Sequence, residues 1–299
     1  MKPFIKSPGG KSKLCAILTQ QLPSNFFKDK YTYVEPFLGG GALFLNLLTK
    51  DPSIGSRSWL NDINTDTWNV WQQVRQNPLK LIDSLNILKA QYSKEHFSVV
   101  RSGFIEYIAD KVSTISSSDS GDPEEFRINR AARFVYLNKT CFNGLIRYNK
   151  RGIFNSPFGK YKNPGIFNSQ NILDIHTNIT PTRILGLDFE DLFKTLEAGS
   201  LLNEKMFVYL DPPYIPRSLT ANFTSYSKEG FSLSDHERIK KLLDKLTTLK
   251  VKVLVSNSDT ILTRELFKDY HISEINSRHL ISCKISSRNT IKELLIRNY

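Results

Sequence analysis

The run Met206-Phe207-Val208-Tyr209-Leu210 is apolar at every position and is closed by Asp211-Pro212-Pro213-Tyr214. A short stretch of β-forming residues with no polar alternation, bounded by prolines, reads as a strand buried in a sheet. The two prolines hold φ near about −65° and remove two amide donors, so the backbone past the strand is stiff. It offers a carboxylate (Asp211), a bare carbonyl (Pro212) and an aromatic face (Tyr214), three groups that can converge on a flat ligand bearing an amino group. Taken alone, the four residues read as well as an ordinary strand-ending turn.

The same grammar recurs along the chain. Residues 31–35 are strand-like and run into Pro36-Phe37-Leu38-Gly39-Gly40-Gly41, after which residues 42–48 have the apolar density of a helix. Strand, glycine loop and helix open a nucleotide-binding βαβ unit, although the spacing is not the dinucleotide G-x-G-x-x-G. A strand over 58–60 ends in Asn61-Asp62-Ile63-Asn64. An acid about 20 residues after such a loop is where these folds hold ribose hydroxyls. Asp62 reads equally as the N-cap of the next helix. Further strands are expected at 183–187, ending at Asp188-Phe189, at 251–257 and at 290–299, with Ser234-Asp235-His236-Glu237 as a capping box opening a helix to about 249. Strands alternating with helices predict an α/β fold with a doubly wound, mostly parallel sheet. Ahead of it all, Ser7-Pro8-Gly9-Gly10-Lys11 precedes a helix over 12–22, allowing close backbone approach by an anion, or simply a turn.

Residues 65–180 break the alternation. A helical pattern over 64–107 has Trp68, Trp71, Val74, Leu79, Ile82 and Leu85 as its apolar positions, with the tryptophans read as core. Residues 116–123 read as a flexible loop, Pro123-Glu124-Glu125 starts a helix, and a helical patch follows at 169–176. Between Arg127 and Asn163 stand nine basic residues and no acid: Arg127, Arg130, Arg133, Lys139, Arg147, Lys150, Arg151, Lys160 and Lys162. Phe134, Tyr136, Phe142, Tyr148, Phe154, Phe158 and Tyr161 are interleaved, and Asn149-Lys150-Arg151-Gly152 reads as a hairpin turn. Basic residues, asparagines and exposed aromatics on such an arm suit phosphates and base edges. The net charge of +12 agrees, and nucleic acid is favoured over membrane because no basic amphipathic helix or lipidation motif is present; nor is there a long apolar run or a signal-peptide core. Cys15, Cys141 and Cys283 are scattered, and neither they nor the five histidines show metal-ligand spacing, which predicts reduced thiols, a cytoplasmic setting and no metal. Two domains are expected, 1–64 with 181–299 and an insertion over 65–180.

The chemistry these parts share is transfer to an exocyclic amine. Hydrogen bonds from the amine to Asp211 and Pro212 would aim its lone pair at an electrophile held by the glycine loop, with orientation and electrostatics and no covalent enzyme intermediate. The stretches FIKSPGGK, YVEPFLGGGALFLN, LNDIN, LNKTCFNGLIRYNKRGIFNSPFGKYKNP, VYLDPPY followed by TANFTSY, and VLVSNSDT with LTRE, in that order, resemble the Dam-type (D12 class, alpha group) DNA adenine-N6 methyltransferases. The resemblance implies a Rossmann-like methyltransferase fold with an inserted helical and β-hairpin DNA-recognition domain, S-adenosylmethionine as cofactor, and double-stranded DNA as partner. By position it implies catalytic roles for Asp211, Pro212 and Tyr214. It implies cofactor contacts at Ser7, Gly9, Gly10, Lys11, Glu35, Pro36, Phe37, Gly39, Gly41, Asp62, Asn64, Asp188 and Asp211. Ser7 departs from the family's common tryptophan.

On the DNA side the resemblance implies Lys6, Lys139, Phe142, Asn143, Leu145, Arg147, Asn149, Pro157, Lys160 and Tyr161, with Phe142 as the inserting aromatic and Arg147 and Lys6 reading guanines. Lys139 and Lys160 stand where arginine is common. Retention of Lys6, Leu145, Arg147 and Pro157 implies methylation of a flipped adenine within GATC. The alternatives are another short DNA motif, RNA or a protein glutamine as substrate, or a catalytically dead DNA-binding module. A monomer associated with the nucleoid is the default expectation, with restriction-modification, DNA marking and a phage role left open.

Overall fold

The computed structural model describes residues 1–7, 9–104, 123–149, 152–216, 231–278 and 290–299. The expected loop before Pro123, the hairpin residues Lys150 and Arg151, Pro8, the TANFTSY stretch and Cys283 lie outside them. The described strands are β1 (Thr32–Glu35), β2 (Ser58–Asn61), β3 (Arg183–Leu185), β4 (Met206–Leu210), β5 (Lys252–Ser258), β6 (His271–Arg278) and β7 (Thr290–Arg297). The described helices are α1 (Cys15–Gln20), α2 (Ala42–Lys50), α3 (Thr65–Gln76), α4 (Pro78–Ala90), α5 (Lys94–Ser102), α6 (Pro123–Thr140), α7 (Ser169–Ile179), α8 (Phe189–Ala198), α9 (Leu233–Thr248) and α10 (Ile261–Leu266).

The seven strands form one mixed, mostly parallel sheet in the order β3-β2-β1-β4-β5-β7-β6. β1 pairs parallel with β2 and β4, and β4 with β5, whereas β7 runs antiparallel between β5 and β6. All five residues of β4 are buried, as an unbroken apolar run requires. Strand order reverses between β1 and β4, and in open α/β sheets ligands bind beyond the strand ends at such a switch point. The residues leaving those two strands are Glu35-Pro36-Phe37 and Asp211-Pro212-Pro213-Tyr214. β6 was not anticipated, because His271–Arg278 is polar and carries no apolar alternation.

The chain divides into two compact units. One comprises Met1–Ser12, Gly39–Ser56 and Asp62–Gly186; the other comprises Lys13–Leu38, Arg57–Asn61 and Leu187–Tyr299. In the first, α3 buries Val70, Trp71 and Val74 and α6 buries Ala131, Ala132 and Val135. Phe4 meets the Trp71 ring edge-on at 4.7 Å. Leu79, an apolar position of the helical pattern, is exposed because α4 starts at Pro78 and its buried stripe is Leu81, Ile82 and Leu85. In the second unit α8 buries Phe189, Leu192, Phe193 and Leu196, a one-faced helical stripe.

The capping box of α9 lies two residues earlier than expected. The Ser232 hydroxyl accepts the Asp235 N–H, and the Asp235 carboxylate accepts the Ser232 N–H at 2.8 Å. The local pattern misled because Ser232 and Ser234 are both credible caps, and only the backbone path into the helix selects one. Replacing Ser232 by Ala is expected to cost about 1 kcal/mol in a urea melt. Ser234→Ala is expected to stay within about 0.5 kcal/mol of the parent.

Candidate active site and nucleic-acid interface

The glycine loop is closed by Asp62. Its carboxylate accepts the Gly39 N–H at 2.7 Å and the Asn64 N–H at 2.9 Å. Asn64, not Asp62, caps α3, accepting the Thr67 N–H at 2.8 Å, so the N-cap role read for the acid falls to Asn64. Gly39 has φ +47°, and a Cβ there would sit 2.7 Å from the Ser7 hydroxyl. Trp71 donates its indole N–H to the Gly39 carbonyl at 2.9 Å. Gly41, also left-handed, precedes α2 and has no side chain with which to cap it. Gly10 donates to the Ser7 carbonyl at 2.9 Å, and the buried Lys11 ammonium donates to the Gly9 carbonyl at 2.7 Å. Burial raises the Asp62 carboxyl to about 6, although both N–H groups favour its ionised form.

In the second unit the strand-end residues are held from behind. Glu35 is buried and accepts the Tyr33 hydroxyl at 2.8 Å. Burial pushes the neighbouring Cys15 thiol up to about 11, with Glu35 adding to it. Asn61 donates to the Pro36 carbonyl at 3.0 Å, and the Phe37 ring lies 5.5 Å from Phe189 and 5.9 Å from Phe231. Asp188 caps α8 and pairs with Arg238 at 2.6 Å, while that guanidinium lies 4.6 Å over the Phe189 ring. Asp211 leaves β4 half-buried and Pro212 is buried. Tyr214 donates its hydroxyl to the buried Glu293 of β7 at 2.7 Å. Its own ionisation is pushed well above the ordinary tyrosine range, by burial first and then by Asp211 and Glu293. Ile215 is gripped on both backbone groups: its N–H reaches Asn257 at 3.1 Å, and its carbonyl receives the Ser258 hydroxyl at 2.5 Å. Burial lowers His236, 3.5 Å from Asn257, to about 4.

The basic arm belongs to the first unit and is less aromatic on its surface than its composition implied. Phe134, Tyr136 and Phe154 are core residues, whereas Phe142 is 46% exposed. Phe142 opens a tight turn in which Asn143 and Gly144 both have left-handed φ, at +55° and +69°. Its N–H is held by the Pro157 carbonyl at 2.8 Å. The hairpin closes through a Tyr148–Phe154 bridge, the Asn155 N–H to the Arg147 carbonyl at 2.9 Å, and the Asn149 side chain accepting the Ile153 N–H at 3.0 Å. Arg147, Pro157 and Lys160 are exposed, and Leu145 and Tyr161 are half-buried. Lys139 is half-buried, and burial, then the charge of Lys6, lowers its ammonium to about 8.

Tyr148 donates to Asp66 at 2.9 Å, and Arg130 clasps the same carboxylate at 2.7 and 2.9 Å. This buried cluster ties the hairpin to α3, and removing one partner of such a pair costs about 3–5 kcal/mol. Asp66, Arg238, Asn257 and Glu293 escaped the sequence reading because each works through a partner far along the chain.

A mostly parallel seven-stranded sheet with a glycine loop after its first strand and an acid after its second is the architecture of a Rossmann-like methyltransferase. The chain belongs to the D12 class N6 adenine-specific DNA methyltransferases, whose family model matches residues 7–281. It is 36% identical over 302 residues to the Type II methyltransferase M1.LlaDCHI of Lactococcus lactis subsp. cremoris, spanning 100% of this chain and 96% of that one. It is 35% identical over 309 residues to the Type II methyltransferase M.MjaIII of Methanocaldococcus jannaschii, spanning 100% and 99%. It is 32% identical over 294 residues to the DNA adenine methylase of Escherichia coli, spanning 98% and 93%.

Asp62 has a pH signature. A carboxyl raised to about 6 in the folded state contributes stability that is present below its unfolded value, near about 4, and is lost as pH rises through 6. His236 works in the opposite direction over much of this range, so the difference from Asp62→Asn isolates the acid. The stability of the variant relative to the parent is expected to increase between pH 4 and pH 7, as measured by urea melts, and to level off above that.

Proposed function

We propose that this adenine-specific DNA methyltransferase uses S-adenosylmethionine and methylates N6 of an adenine swung out of duplex DNA, within GATC. The exposed ring of Phe142 carries this reading. Phe142 is 46% exposed on a turn whose next two residues are both left-handed, in the acid-free run that also holds exposed Arg147. Wedged into the base stack, it would offset the few kcal/mol that extruding a base costs, roughly.

The residues present suit the cofactor. A glycine loop in which a Cβ on Gly39 would meet the Ser7 hydroxyl, and a desolvated acid beyond β2, match a ribose-bearing group. Ser7, Gly9, Gly10, Lys11, Phe37, Gly39, Gly41, Asp62, Asn64 and Asp188 would hold it, with Glu35 and Pro36 supporting from the end of β1. Ser7 is too small to stack as a tryptophan would. When bound, the cofactor supplies an electrophilic sulfonium methyl group. Asp211 and the Pro212 carbonyl accept the two N–H bonds of the adenine amine, which turns its lone pair outward. Tyr214 stacks on the ring, its tilt set by Glu293. These groups orient the amine and stabilise charge, with no covalent enzyme intermediate.

Residues 65–180 carry target recognition, joined by Lys6 from the N-terminal segment, and the remainder carries catalysis. Arg147 reads a guanine bidentately, worth about 1–3 kcal/mol of discrimination. Lys6 reads the outer guanine, Leu145 and Pro157 meet a thymine methyl, Asn143 stands beside the wedge, Asn149 contacts the DNA from the hairpin, and Lys139, Lys160 and Tyr161 anchor phosphates. The relatives named DNA adenine methylase support adenine in DNA as the target. The enzyme works as a cytoplasmic monomer on nucleoid DNA. No helix among the described residues is long and apolar enough to cross a membrane.

Two measurements test the reading. Expressed in a host lacking GATC methylation, the chain is expected to place N6-methyladenine at GATC in long-read sequencing, and modification confined to another motif would overturn the site. Asp211→Ala is expected to abolish methyl transfer while DNA binding persists in a mobility-shift assay; undiminished turnover would remove the role given to Asp211.

A further inference from the structure

Asn138 is 1% exposed near the end of α6 and holds a residue 132 positions away by both backbone groups. Its carbonyl oxygen accepts the Lys6 N–H at 2.7 Å, and its amide nitrogen donates to the Lys6 carbonyl at 2.8 Å. The same nitrogen donates to the Gly144 carbonyl at 3.2 Å, two residues past Phe142. One side-chain amide thus joins the N-terminal segment to the turn that carries the exposed ring. The fit is close. A Cβ on Gly144 would lie 2.4 Å from the Lys6 Cδ, and the Lys6 ammonium lies 4.8 Å over the Tyr161 ring. The stem of Lys6 is therefore threaded between the turn and Tyr161, while the residue as a whole stays exposed.

We propose that Asn138 is a positioning residue for sequence recognition, fixing the ammonium of Lys6 relative to the Phe142–Arg147 turn and so setting discrimination at the base pair Lys6 reads. This rests on the reading above in which Lys6 contacts the outer guanine. The chemistry requires an amide. Aspartate retains the acceptor for the Lys6 N–H but cannot donate to either carbonyl, and alanine can do neither. A lysine is a point donor on a flexible stem and discriminates between bases only when its origin is fixed.

The test uses the full-length enzyme and duplexes carrying the site mapped for the parent, with the outer or the inner base pairs substituted in turn. kcat/KM is measured for Lys6→Ala, Asn138→Ala, Asn138→Asp and the Lys6→Ala/Asn138→Ala pair. The isosteric Asn138→Asp serves if alanine at 138 fails to fold. Asn138→Ala or Asn138→Asp is expected to lower discrimination at the outer pair by about tenfold or more, as Lys6→Ala does. Discrimination at the Arg147-read pair should remain, and the double variant should discriminate no worse at the outer pair than Lys6→Ala. If both Asn138 variants lower kcat/KM by one factor at every site and leave discrimination intact, Asn138 is structural and the proposal falls while the reading of Lys6 stands. If Lys6→Ala leaves outer-pair discrimination unchanged, the reading of Lys6 falls and takes the proposal with it.

Discussion

The Asp62 carboxylate binds the N–H groups of Gly39 and Asn64 together, and the surrounding unit is laid out from that junction. Pinning Gly39 in a left-handed conformation turns its carbonyl to Trp71, which anchors the loop to the buried centre of α3. The absence of side chains at Gly39 and Gly40 lets the N-terminal segment lie on the loop: hypothetical Cβ atoms there would stand 2.7 Å from the Ser7 hydroxyl and 3.2 Å from the Ile5 carbonyl. One residue from each of these, Lys6 is taken by Asn138. A continuous series of contacts therefore runs from the acid after β2 to the turn bearing Phe142. It is maintained at the cost of keeping a carboxylate in a place that raises its pKa.

The second unit solves a different problem. Consecutive prolines after β4 stiffen the chain but cannot donate hydrogen bonds, so the segment must be held by groups on neighbouring strands. Asn257 and Ser258 of β5 take both backbone groups of Ile215, and Glu293 of β7 takes the Tyr214 hydroxyl. Glu35 and Glu293 are both buried acids that receive a tyrosine hydroxyl, and a buried carboxylate without such donors would be expensive. Each tyrosine is in turn held protonated, by its burial first and then because ionising it would place a second negative charge beside the first. A ring fixed by its far end keeps its tilt without needing a wall of side chains on both faces.

Local features were legible where one residue's environment is set by its neighbours in the chain. The buried β4, the glycine loop after β1, the start of α6 at Pro123 and the turn at Asn149 and Gly152 all follow from propensity, proline and glycine geometry. Failures came where composition stood in for placement. The aromatics of the basic arm looked alike, yet Phe134, Tyr136 and Phe154 pack inside and Phe142 stands in solvent, a division made by helix phase and by the bridge between Tyr148 and Phe154. β6 gave no signal because a polar edge strand has little apolar alternation to read.

By itself, the sequence determined the alternation of strands and helices, the buried strand ending in Asp211-Pro212-Pro213-Tyr214, and the ordered motifs by which the family is recognisable. Periodicity and turn chemistry act over a few residues, so they survive in the linear pattern. Tertiary structure alone decided the partners: Asn138 with Lys6 across 132 positions, Tyr148 with Asp66 across 82, and Tyr214 with Glu293 across 79. A buried hydrogen bond forms where packing brings donor and acceptor within about 3 Å and excludes water, and no local pattern encodes which distant group will be there.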